Sequence, residues 1–218
     1  MKKTFKNPFI YLPLFTILSF LSSTPAFWLV RNGSIEGNSV LFFFFVTIGA
    51  FFTMLILPSF LIKYIWGENA SSYGLRMPEK IEYAVKLTFL AFIPIISLII
   101  LLSRTEAFRS FYITDPKLSF VFFIEIILSF IYFFSEEFLF RGFLLFSLWE
   151  KLGQKGFWIT NIIFSLLHVG KASGEVFISF FIGIVFSYLS IKTRSIWPAV
   201  ILHFCIAILL NFLIFFSN

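Results

Sequence analysis

The sequence predicts an all-α fold, a polytopic membrane bundle of about seven transmembrane helices, and three observations carry that prediction. First, 59% of the 218 residues are hydrophobic and only 13% are charged, with a mean hydropathy of +0.96. A soluble domain covers its surface with about a quarter charged residues. Second, 36 phenylalanines fill the place of that polar cover. Third, apolar runs recur at lengths near the roughly 20 residues that cross a bilayer as a helix. A soluble enzyme, a disordered chain, a nucleic-acid binder and a disulfide scaffold are excluded. The formal charge of +6 comes from Lys and Arg residues in short loops between apolar runs, where membrane topology uses them. Cys205, the single cysteine, has no disulfide partner and reads as a small packing residue.

The elements follow in order. Phe9 to Val30 and Val40 to Ile62 are free of charge, the second ended by Lys63. Lys86 to Leu102 is slightly short, with Lys86 placed to snorkel. Leu118 to Ser135 holds one carboxylate, Glu125, and apolar character continues to Trp149 through Glu136, Glu137 and Arg141. Gly156 to Val169, Val176 to Ile191 and Ser195 to Phe216 complete the set. Six helices are the alternative if the short Gly156 to Val169 segment is re-entrant. Lys2, Lys3 and Lys6 before an apolar run also resemble a signal peptide, but the run continues through Val30, so an uncleaved first helix is expected. The loop from Gly67 to Lys80 reads as an ordinary connector. We divide the chain into an N-terminal three-helix region, 1–117, and a helical core, 118–218.

Orientation follows from sorting the 17 basic residues, leaving out Lys86 and Arg141, which lie within apolar segments. With the N-terminus cytoplasmic, Lys2, Lys3, Lys6, Lys63, Arg76, Lys80, Lys151, Lys155, Lys192 and Arg194 face inward. Arg31, Arg104, Arg109, Lys117 and Lys171 face outward. This two-to-one bias favours a cytoplasmic N-terminus.

Charge inside a bilayer costs roughly 2.5–3.5 kcal/mol on insertion scales, so function is sought at Glu125, Glu136, Glu137, Arg141, His168 and His203. Glu137 and Arg141, at i and i+4, share a helical face and predict an ion pair. Glu136 turns about 100° away and is left to project into the bundle, where a carboxylate can act as general base toward water. An interfacial helix with solvated charges is the bland alternative. Asn161, Phe164, Ser165 and His168 recur at helical spacing, and His203 follows Pro198 in the last helix. Each histidine alone reads as a packing residue. With a carboxylate, the two offer a Zn²⁺ site formed by Glu136, His168 and His203, or a metal-free site in which the histidines stabilise an oxyanion. Straight helices would place Glu136 near the inner surface, His203 about 12 Å deep and His168 about 18 Å deep. They meet only if the Ser135 to Trp149 segment bends back or continues inside the membrane.

Glu136-Glu137-x-x-x-Arg141, Phe164-x-x-x-His168 and the late His203 resemble the ordered motifs of the CPBP intramembrane proteases, the CAAX-prenyl-protease and bacteriocin-processing (Abi) family. The resemblance spans about Leu118 to Leu210, supported by Phe140-Arg141-Gly142 and Trp197-Pro198-Ala199. It implies that Glu136 is the catalytic carboxylate, that Glu137 and Arg141 support it, and that His168 and His203 bind metal or stabilise the transition state. It departs at Ala207, where the family usually has Asn or Asp; Asn161 is the candidate replacement. The expectation is an integral membrane endopeptidase of a bacterial cell membrane, acting on a membrane-associated peptide or protein in the cytoplasmic half of the bilayer. A catalytically silent immunity or scaffold protein and a proton-coupled transporter are the alternatives.

Overall fold

The structure, a computed structural model, describes residues 7–37, 39–112 and 120–216, and every regular element among them is helical. Lys2, Lys3, Lys6, Lys117, the start of the fourth run and the 117/118 boundary lie outside the described residues. Among the described residues, five helices are long and apolar enough to cross a membrane: α1 (Pro8–Arg31), α2 (Val40–Trp66), α3 (Ile81–Leu102), and two near the C-terminal end, Glu175–Thr193 and Trp197–Ile214. The chain is an integral membrane protein. A short α4 (Glu106–Phe111) follows α3, and α5 (Phe120–Glu137) then runs without a break through a π-helical turn, Phe138–Leu144, into α6 (Leu145–Leu152). The rest is α7 (Gln154–Leu166), α8 (Glu175–Thr193) and α9 (Trp197–Phe215).

All seven expected segments are helical. The rod from α5 to α6 carries three carboxylates in its first 18 residues, so composition alone does not mark it as a span. At 13 residues α7 rises about 20 Å, short of the ~30 Å hydrocarbon core. Of the two routes that bring the charged groups together, the segment after Ser135 continues inside the bundle. Every residue of the π-turn is buried, which excludes the solvated interfacial helix. Cys205 is exposed on the outer face of α9, not packed inside.

Two close approaches fix the N-terminal helices. α1 breaks at Ser22 and Ser23, and a Cβ built on Gly49 of α2 would lie 1.9 Å from the Ser22 carbonyl oxygen. Near its start, Tyr11 and Phe15 of α1 pack edge-on against Phe143 of the π-turn, and Trp66 stacks on the same ring.

The Gly67 to Lys80 segment is not a plain connector. Its 3₁₀ turn, Ala70–Tyr73, buries Tyr73, whose hydroxyl donates to Glu68. Burial and the Glu68 carboxylate push the Tyr73 phenol well above its ordinary range. Gly74, at φ +78°, accepts from the Ile196 amide at 3.0 Å, Arg76 Nε donates to the Arg194 carbonyl at 3.0 Å, and Ser195 Oγ donates to the Arg76 carbonyl at 2.6 Å. The segment is a strap across the α8–α9 turn. It gathers Arg76, Lys151 and Arg194 at the end of the bundle where α1 starts.

Ala in place of a helical Gly normally stabilises by about 1 kcal/mol. At position 49 the sign should reverse, because an added methyl meets backbone; Gly49→Ala should cost about 1–3 kcal/mol. A lowered thermal unfolding midpoint in detergent checks this, and an unchanged or raised midpoint contradicts the packing.

Candidate active site

The site is built where α5 passes into the π-turn. An α-helical register through Glu137 sets Glu136 and Glu137 on adjacent faces, and the following i→i+5 turn carries Arg141 back beneath Glu137. Gly142 lies inside this turn, and a Cβ there would meet the Tyr73 carbonyl oxygen at 2.8 Å. A residue without a side chain is what lets the strap pack on the turn.

Arg141 Nε and Glu137 Oε2 are 3.3 Å apart, and both side chains are 0% exposed. The guanidinium carbon stands 3.9 Å from the centre of the Phe164 ring and 5.6 Å from that of Phe186. The arginine is therefore held by one carboxylate and two aromatic faces, a desolvated cation–π arrangement. On its other side Glu137 Oε1 lies 2.8 Å from Nδ1 of His203. The His203 ring is packed among Phe133, Phe164 and Phe186, at centroid distances of 4.3, 6.2 and 5.4 Å.

Glu136 is as deeply buried but less engaged. Its Oε2 is 3.7 Å from His203 Nδ1, and its Oε1 is 3.5 Å from the hydroxyl of Tyr132, one turn back on α5. The two carboxylates thus divide: Glu137 is tied to a cation and an imidazole, while Glu136 has only long contacts.

His168 does not join this group. It follows the end of α7, where its Nδ1 lies 3.1 Å from the Phe164 carbonyl, the geometry of a ring N–H donating to a carbonyl oxygen. Its Nε2 faces Glu175 Oε1 at 4.0 Å. Glu175 also accepts from the Tyr112 hydroxyl at 2.7 Å and pairs with Lys171 at 3.7 Å. The two histidines are linked through Phe164, whose ring centre is 5.0 Å from His168 and 6.2 Å from His203. Asn161 is committed elsewhere: its Oδ1 accepts from Ser187 at 3.1 Å and its Nδ2 donates to the Phe157 carbonyl. Glu125 lines a small cavity with Ser129 and Asn211 further out between α5 and α9.

Residues 117–209 match the family model for type II CAAX prenyl endopeptidase Rce1-like proteins. Over that segment, less than half of the chain, the protein is similar to this family. No curated protein and no solved structure matches it.

The matched segment contains Glu136, Glu137, Arg141, His168 and His203, and the fold brings four of these five together. For a metal, the donor set that converges is Glu136, Glu137 and His203, each offering an atom within 4.8 Å of the others. Two carboxylates and an imidazole suit a divalent cation such as Zn²⁺ and leave a coordination position open. This set differs from the sequence-based one in holding Glu137 where His168 was expected. Sequence reasoning missed Tyr132, although its i−4 spacing from Glu136 signals it. It also missed Tyr112 and Glu175, which only tertiary folding brings to His168.

Removing Arg141 would strand Glu137 in the bundle, and breaking a buried pair in this way costs about 3–5 kcal/mol. Arg141→Met should therefore lower the unfolding midpoint or abolish accumulation of folded protein. Arg141→Lys should recover only part, because an ammonium cannot lie flat on Phe164. Melting curves in detergent test the order, and full recovery by Lys would contradict the role of the planar group.

Proposed function

We propose that this protein is an intramembrane endopeptidase in which Glu136 activates water for attack on a peptide bond. The observation that carries the reading is the asymmetry of a buried carboxylate pair: Glu137 lies 2.8 Å from His203 and 3.3 Å from Arg141, whereas Glu136 approaches His203 only to 3.7 Å. Glu136 accepts a proton from water as its oxygen adds to the carbonyl carbon, then returns that proton to the departing amine nitrogen. His203, oriented by Glu137, donates to the oxyanion, and the bundle excludes the bulk water that would weaken these interactions. If a divalent cation is bound, Glu136, Glu137 and His203 hold it, and it supplies Lewis-acid polarisation.

His203 lies six residues from the start of α9, about 9 Å from the end of the bundle bearing Arg194. Among the described residues that end carries Lys63, Arg76, Lys80, Lys151, Lys155, Lys192 and Arg194, against Arg31, Arg104, Arg109 and Lys171 at the other. The bias supports a cytoplasmic N-terminus, with cleavage in the cytoplasmic half of the bilayer. The matched family is named for CAAX prenyl endopeptidases, so membrane-anchored C-terminal peptides are the first substrate class to test. A catalytically silent immunity or scaffold role is the second reading, favoured by Ala207.

In proteoliposomes with prenylated and unprenylated anchored peptides, Glu136→Gln should reduce cleavage by about 10²–10⁴-fold while the melting curve is kept. Products read by mass spectrometry decide it: cleavage retained in Glu136→Gln sinks the mechanism, and none by the wild type on any peptide favours the silent reading. Elemental analysis tests the donor set separately. Bound Zn²⁺ should persist in His168→Ala and be lost in His203→Ala; the reverse would restore His168 as a ligand.

A further inference from the structure

Away from the site, the strap and the ends of α6 and α8 enclose a cavity of about 450 Å³. Its wall includes Glu68, Tyr73, Arg76, Trp149, Glu150 and Arg194. Glu150 is 13 residues beyond Glu137 on the same rod, about 20 Å along the axis, so this cavity is separate from the carboxylate pair. Its volume is within the 300–1,000 Å³ typical of ligand pockets.

Its chemistry is unusual in being balanced. Two guanidiniums and two carboxylates share one wall, and two large aromatics complete it. A bare anion would meet Glu68 and Glu150, and a bare cation would meet Arg76 and Arg194. Arg76 Nη2 already pairs with Glu79 at 2.8 Å and Glu68 accepts from Tyr73, so Arg194 and Glu150 are the main charges offered to a ligand carrying both a phosphate and an ammonium: an arginine fork matches phosphate oxygens, while a carboxylate and aromatic faces receive an ammonium. The backbone is organised for this, since Arg76 Nε holds the Arg194 carbonyl and brings the two arginine residues together. The position selects the source. The cavity lies where spanning helices α2 and α8 end, at headgroup depth, with Trp149 exposed in the manner of an interfacial tryptophan. Leu152 and Tyr188, near the lining residues Glu150 and Ile191 in the sequence, are exposed apolar side chains.

We propose that this cavity binds the headgroup of a zwitterionic, amine-bearing phospholipid, with phosphate on Arg194, beside Arg76, and ammonium on Glu150 and the aromatic rings. The experiment titrates purified full-length protein in detergent with short-chain phosphatidylethanolamine, short-chain phosphatidylglycerol and soluble phosphoethanolamine, read by native mass spectrometry. Wild type should prefer phosphatidylethanolamine. Arg194→Gln and Glu150→Gln should each weaken it about tenfold, the loss of one charge-assisted contact. Glu150→Gln should leave phosphatidylglycerol unchanged. Equal binding of the two lipids, untouched by either substitution, overturns the proposal. Soluble phosphoethanolamine binding as tightly as the lipid overturns the membrane source. Both substituted side chains are exposed, so the fold should survive; Arg194→Lys and Glu150→Asp guard against misfolding, and loss of binding in these charge-retaining variants also overturns the assignment. Because the readout is binding, neither result depends on the protease reading.

Discussion

Arg141 and Glu137 have no exposed surface, and in a bundle surrounded by lipid there is nowhere for either to go. An isolated buried charge of this kind is expensive by several kcal/mol, so the surroundings must be built to keep the two together. The guanidinium lies over Phe164 of α7 and near Phe186 of α8, and the carboxylate receives His203 of α9. Three separate helices are thereby held in register to one turn of a fourth. A Cβ on Gly183 of α8 would meet Arg141 Nη2 at 3.1 Å and Asn161 Oδ1 at 2.9 Å. The tolerance for a larger residue opposite the pair is correspondingly small.

The same constraint explains why the chain keeps helical structure through a region crowded with charge. Breaking the rod at Ser135 would expose backbone amides to hydrocarbon, where each unpaired group costs several kcal/mol. Passing into a π-turn keeps the backbone bonded while changing the direction in which side chains emerge. Phe143 then points toward Tyr11, Phe15 and Trp66, so the N-terminal helices pack on the reverse side of the turn that bears the charges. Packing of α1 and α2 and the geometry of the carboxylates are two faces of one seven-residue element.

The helices were legible because each apolar run must satisfy its own backbone, a local requirement written within some 20 residues. The Glu137–Arg141 pair was legible for the same reason, being four residues apart. The merger of α5, the π-turn and α6 was not: charges at Glu136, Glu137 and Arg141 look like a membrane exit until their partners on α7, α8 and α9 are known. The strap was missed because Tyr73 is buried by Trp66 and Phe143 rather than by any neighbour in its own loop. His168 was grouped with His203 because both are lone imidazoles in apolar helices. What separates them is Glu175, seven residues beyond His168 across a turn whose path no periodicity reveals.

Ala207 is the point at which the resemblance and the structure bear on each other most directly. A polar residue one turn after a histidine on the same helix would serve to orient the imidazole, and Ala207 has no group to do so. Asn161 does not fill the gap, since its amide is spent on Ser187 and Phe157. The orientation of His203 comes instead from across the bundle, through Glu137 at 2.8 Å and the three phenylalanine rings around it. That substitution of partners ties the two carboxylates to one imidazole: Glu137 meets His203 Nδ1 at 2.8 Å and Arg141 Nε at 3.3 Å, while Glu136 stands 3.7 Å from the same nitrogen.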